Sequence, residues 1–127
     1  MIGIIGAMDQ EIDDLKKEMK NPTVETKSSL DFWKGELCGK EVVLVRSGIG
    51  KVNAAFKAFD VIQKTGCKTV LNLGTAGSSY FEGHSLVEVI QFVQRDMDVS
   101  PLGFPVGLTP MDHDHPAEID LEAFFHD

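Results

Sequence analysis

The chain has 127 residues, 43% of them apolar and 25% charged, which matches one ordinary globular domain in length and composition. Twelve basic residues against twenty acidic ones leave a net charge of −8, which excludes the clustered positive surface that grips a nucleic-acid backbone and disfavours an anionic membrane. Two cysteines, Cys38 and Cys67, make neither a disulfide framework nor a metal-ligand spacing, and no apolar run reaches the roughly 18 residues of a membrane helix.

The N-terminus carries no basic leader, so residues 2–5 read as a buried strand, closed by Gly6-Ala7, and the expected location is the cytoplasm. From Met8 the period lengthens. Met8, Ile12, Leu15 and Met19 fall on one helical stripe with Asp9, Asp13, Lys16 and Lys17 opposite, and Asn21-Pro22 ends the helix. Residues 30–46 predict two strands around a tight turn at Cys38-Gly39-Lys40, the second made central by Val42, Val43, Leu44 and Val45. Ser47-Gly48-Ile49-Gly50 then turns into a second helix, with Val52, Ala55, Phe56, Phe59 and Ile62 as its buried face and Gly66 as its C-cap. Thr69 to Leu73 predicts a third buried strand, closed by Gly74-Thr75-Ala76-Gly77, and residues 86–93 another. A loop with Pro and Gly follows from Asp96, and Ile119 to Phe125 reads as a short amphipathic helix.

This alternation implies an α/β fold, one domain over residues 1–127, with a mostly parallel or mixed sheet and flanking helices. Ligands of such sheets bind beyond the carboxyl ends of the strands, where three glycine-bearing turns are expected to converge. Gly48-Ile49-Gly50-Lys51 is not a phosphate loop: Val45 stands where the earlier glycine belongs and Val52 where Ser or Thr belongs. It is not a dinucleotide fingerprint either, because Asn53 takes the place of the third glycine. Glu11 sits about 60° from the centre of the first helix's apolar stripe, which puts a carboxylate at the edge of the core beside a strand end. An acidic residue in a first turn is also what the helix dipole favours, so both readings stand. Gly74-Thr75-Ala76-Gly77 allows a flat ligand to approach the backbone and equally suits a plain turn. His113-Asp114-His115 reads as a solvated turn rather than a metal site, and Arg95-Asp96-Met97-Asp98 as an ion-paired turn. No metal and no cofactor are expected.

Ile4-Ile5-Gly6-Ala7-Met8 with Glu11, then Ser47 to Ala55, then Asn72-Leu73-Gly74-Thr75-Ala76-Gly77, resemble in order and spacing the methylthioadenosine/S-adenosylhomocysteine nucleosidases of the purine nucleoside phosphorylase superfamily. The resemblance covers residues 1–80 well and 86–110 more loosely. It implies a phosphorylase/hydrolase-like fold whose C-terminal part is absent here, and hydrolysis of a 5′-substituted adenosine to adenine. By that resemblance Glu11 activates the attacking water, Met8 and Ile49 line the pocket for the 5′ group, and Thr75, Ala76 and Gly77 lie along ribose and purine, with Thr75 in place of the more usual serine. It also implies a homodimer whose neighbour contributes Val99, Leu102, Phe104 and Pro110. The acid that protonates the purine and the group that grips the ribose hydroxyls belong to the family's C-terminal half and have no match here, so this stretch is expected to be inactive or weak alone. A non-catalytic nucleoside-binding module and a phosphorylase are the competing readings. Against the phosphorylase, Asp9 and Glu11 together are expected to repel a phosphate dianion. Burial at the edge of an apolar face is expected to raise the Glu11 pKa, helping it act as a base near neutrality. An unpaired sheet edge and an uncovered apolar face are expected to drive self-association.

Overall fold

The computed structural model describes residues 1–27, 30–112 and 117–121, and the chain divides into two compact units, Met1–Gly77 and Ser78–Asp127. In the first unit, the β-branched run at the N-terminus forms β1 (Ile2–Gly6), and it leads through Ala7-Met8 into helix α1 (Asp9–Glu18). Three strands follow, β2 (Lys20–Lys27), β3 (Leu30–Leu37) and β4 (Lys40–Arg46), then helix α2 (Lys51–Thr65) and β5 (Thr69–Leu73). They make one mixed sheet in the order β2-β3-β4-β1-β5. β1 pairs in parallel with both β4 and β5, whereas β2-β3 and β3-β4 are antiparallel.

The sheet is apolar on both faces because β1 is apolar throughout and β4 is apolar over Val42–Val45, as strands covered on both sides must be. On one face Ile4, Val42 and Leu44 pack with Ile12 and Met19 of and after α1; on the other Ile5, Val43 and Val45 pack with Phe32, Val61 and Cys67. Val43, Leu44 and Val45 are fully buried, and each such side chain contributes about 1.5–3 kcal/mol.

Several expectations need correction. Helix α2 does not bury the predicted face: Val52, Phe56, Phe59 and Ile62 are exposed, as is Ala55. The sheet is met instead by Ala54, Ala58, Val61 and Thr65, a stripe of small side chains that lets the helix lie close, while the bulkier residues point outward. Gly66 does close the helix in a left-handed conformation, its N–H donating to Ile62 O. The α1 helix ends at Glu18, and Asn21-Pro22 lies within β2, whose pairing with β3 shifts between Lys20 and Thr23. A proline is tolerated there because β2 is an edge strand. Strand β5 is the other edge, so Thr69, Leu71 and Asn72 are exposed where burial was expected.

The second unit holds β6 (Gln91–Val93), a single 3-10 turn at Ser100–Leu102 closed by Gly103, and β7 (Glu118–Asp120). The strand expected over 86–93 is thus confined to its last three residues, antiparallel to β7. Ile119 is in that strand rather than in a helix, and Glu122 to Phe125 lie outside the described residues. Among the described residues no helix is long and apolar enough to cross a membrane.

Gly6, where β1 gives way to α1, has no room for a side chain: a Cβ there would collide with Cγ2 of Ile12, which is fully buried and cannot retreat. Gly6→Ala is expected to cost about 1–3 kcal/mol, read as a lower urea midpoint at an unchanged slope.

Candidate active site

Parallel pairing sets Gly6 level with Arg46 on one side and with Leu73 on the other. The turns leaving β1, β4 and β5 therefore depart from the same end of the sheet. Ser47 is buried beneath the second turn, its N–H donating to Gly6 O at 2.8 Å. Gly48 and Gly50 take positive φ angles of 81° and 102°, a conformation glycine adopts without strain, and Asn53 Nδ2 donates to Ile49 O at 2.7 Å.

Glu11, on the first turn of α1, turns its carboxylate back over the strand ends. Oε2 accepts hydrogen bonds from the N–H groups of Ala7 at 2.8 Å and Met8 at 3.1 Å. Oε1 accepts from Thr75 N at 3.0 Å and from Thr75 Oγ1 at 3.1 Å. The structure thus brings Glu11 together with Thr75, across 64 residues of sequence, between two of the glycine corners. Partial burial pushes the Glu11 pKa upward, but the hydrogen bonds from Thr75, Met8 and Ala7 stabilise the charged form and together hold it below the usual glutamate value. The expected upward shift is therefore reversed, because burial here comes with four donors.

Beside this corner lies an open cleft of about 440 Å³, lined by Ala7, Met8, Asp9, Arg46, Gly48 and Ile49 among others. Met8 and Ile49, the two residues assigned to the 5′ group, are thus walls of one hollow; Met8 is half-buried and Ile49 is 73% exposed. Ala76 and Gly77 are exposed on the turn after β5. Arg46, Gln10 and Asn53 also face the cleft and were not singled out by sequence reasoning; the available signal was a cation closing the apolar run Val42–Val45. Arg46 Nη1 donates to Asp9 Oδ2 at 2.9 Å, and Lys16 Nζ stands 3.4 Å from Asp9 Oδ1. Asp9 is thus countered by two cations, which removes it from the argument that the acidic turn repels phosphate.

In the second unit, Val99 precedes the 3-10 turn, Leu102 is 74% exposed at its end, and Phe104 and Pro110 are half-buried. The described residues contain no group of three metal-ligating side chains, and His113 to His115 lie outside them.

The sequence model of the phosphorylase superfamily matches residues 1–125. A 5′-methylthioadenosine/S-adenosylhomocysteine nucleosidase from Staphylococcus haemolyticus is 39% identical over 113 residues, 87% of this chain and 49% of that protein. Among solved structures, the nucleosidase of that name from Neisseria meningitidis, in complex with methylthio-immucillin-A, superposes with a TM-score of 0.78 at 31% identity, covering 94% of this chain and 51% of the other. The futalosine hydrolase of Helicobacter pylori superposes at 0.82, also at 31% identity, with coverage of 94% and 51%. The chain spans about half the length of the relatives it matches. With its three turns, its α/β sheet and these relatives in agreement, the chain belongs to the phosphorylase superfamily, and nucleosidases acting on methylthioadenosine and S-adenosylhomocysteine are among its relatives.

Proposed function

We propose that this site takes part in hydrolysing the N-glycosidic bond of a 5′-substituted adenosine, releasing adenine. The observation that carries the reading is the Glu11 carboxylate held over the strand ends between the Gly6-Ala7 and Gly74-Thr75 turns. Cleavage of such a bond passes through an oxocarbenium-like cation, which a nearby carboxylate stabilises while accepting the proton of the attacking water. A carboxylate has about four acceptor positions, and here all are filled. The proton of water therefore needs one vacated, and the Thr75 hydroxyl is the donor that rotates away without moving the backbone. Met8 and Ile49 take the apolar start of the 5′ group, and the backbone of Thr75, Ala76 and Gly77 runs along the ribose and purine. In the assembled enzyme, a homodimer, Val99, Leu102, Phe104 and Pro110 come from the neighbouring subunit.

One feature favours a second reading. The four bonds and the lowered pKa of Glu11 equally suit a structural tether, in a module that binds a nucleoside without cleaving it.

Three outcomes separate these readings. Adenine release from methylthioadenosine, followed by its absorbance change, is expected to be slow for the chain alone, insensitive to added phosphate, and reduced a further ~100-fold or more in Glu11→Gln. An ordinary enzymatic rate from the chain alone would refute the incomplete-site reading, and phosphate stimulation would favour a phosphorylase.

The tether is measured through acid unfolding. The folded pKa of Glu11 lies below the unfolded value of ~4.3, so its contribution is complete above that pH and lost as pH falls through the folded value. Between about pH 5 and pH 3 the urea midpoint of the native chain is expected to fall more steeply than that of Glu11→Gln.

Self-association is supported by Phe56 and Phe59, 59% and 62% exposed on α2, and by the edge strand β5. Sedimentation at tens of micromolar is expected to give a dimer or larger species; a clean monomer would contradict this.

A further inference from the structure

The cleft beside Glu11 is not uniformly apolar. Met8 and Ile49 line it, and so does an ion pair, Arg46 to Asp9, with side chains 60% and 48% exposed. Among the described residues only Nη1 of Arg46 is engaged, which leaves a further planar edge of N–H donors to receive a carboxylate. Asp9, at 2.9 Å from that guanidinium, sets a negative charge directly beside it. The same two residues also border a second hollow of about 270 Å³ that contains Lys16 and Trp33, so the pair forms a ridge between two depressions.

On the cleft side of this ridge Arg46 and Asp9 stand side by side, with Lys16 meeting the other Asp9 oxygen at 3.4 Å, and such a pair is complementary to a group that itself carries both charges. An α-amino acid does so, its ammonium and carboxylate being attached to one carbon. A methylthio group carries neither and gains nothing from the ridge.

The geometry points to the Arg46–Asp9 pair as the recognition element for a zwitterionic amino-acid tail on the 5′ substituent, Arg46 taking the carboxylate and Asp9 the ammonium. This rests on the nucleoside reading above and adds to it a choice between substrates. The apolar part of the 5′ chain crosses Met8 and Ile49, and its charged end exchanges with the existing bridge instead of breaking it without replacement. The exchange keeps every charge paired, which is why an exposed pair serves here: opening a buried one would leave an uncompensated charge.

The test is calorimetric titration of the 127-residue chain with S-adenosylhomocysteine and with methylthioadenosine, in the native sequence, in Arg46→Gln and in Asp9→Asn. Both side chains are exposed, so both variants keep the fold, which a thermal melt verifies. The native chain is expected to bind the homocysteine compound more tightly, and the affinity ratio of the two nucleosides is expected to fall about tenfold in Arg46→Gln and in the same direction in Asp9→Asn. A ratio that stays at its native value in Arg46→Gln, with methylthioadenosine still bound, overturns the assignment while sparing the nucleoside site. If the native chain binds neither compound, the nucleoside reading fails and this inference falls with it.

Discussion

The corner of the sheet depends on one carboxylate. Glu11 spans from the turn after β1 to the turn after β5, and both turns present main-chain N–H groups that have no strand left to pair with. A neutral side chain of the same shape offers fewer acceptor positions, so charge matters here as well as reach. The carboxylate is aimed by its neighbour in sequence: Ile12 is fully buried against the sheet, which fixes the rotation of α1 and leaves Glu11 nowhere but the strand ends. Gly6 completes the arrangement, since its missing side chain is the space into which Ile12 fits.

That corner exists because β1, alone among the strands of the described residues, has parallel partners on both sides. The antiparallel strands β2 and β3 widen the sheet and cover hydrophobic area but deliver no turn to the site. Parallel pairing is what places Arg46, Gly6 and Leu73 at one level, so three loops drawn from distant parts of the chain meet at one end. Burial on both faces then holds the register, because a slip of one residue in β4 would exchange the side chains facing α1 for those facing α2.

Much of this was legible in the residues, for reasons that also explain the misses. Unbroken apolar runs at Ile2–Gly6 and Val42–Val45 admit few alternatives to buried strands, and glycines fall where those strands end. Helix α2 was located correctly but turned to the wrong side, because its large apolar residues outweigh its alanines by hydrophobicity. Packing distance decided against them: Ala54, Ala58 and Val61 permit a close approach that Phe56 and Phe59 would prevent. Strand β2 was invisible since Lys-Asn-Pro-Thr-Val-Glu-Thr-Lys carries a proline and almost no apolar face, and only its pairing with β3 makes it a strand. The position of Glu11 was readable from helical spacing, but the direction of its pKa was not. Its donors come from backbone N–H groups, including that of Thr75, and no pattern of side chains announces them.

The acidic first turn misleads in the same way. Asp9 and Glu11 suggest a site hostile to anions, yet the cleft is locally balanced: Asp9 faces Arg46 and Lys16, and the Glu11 charge is spread over four donors. At separations of 3 to 4 Å such pairings outweigh the rest of the surface, which salt screens over about 8–10 Å. The surplus acid lies elsewhere on the surface and, screened by salt, has little influence on what enters the cleft. What discriminates between ligands there is the arrangement of a few charges at the strand ends, and that arrangement follows from the register of β1 against β4.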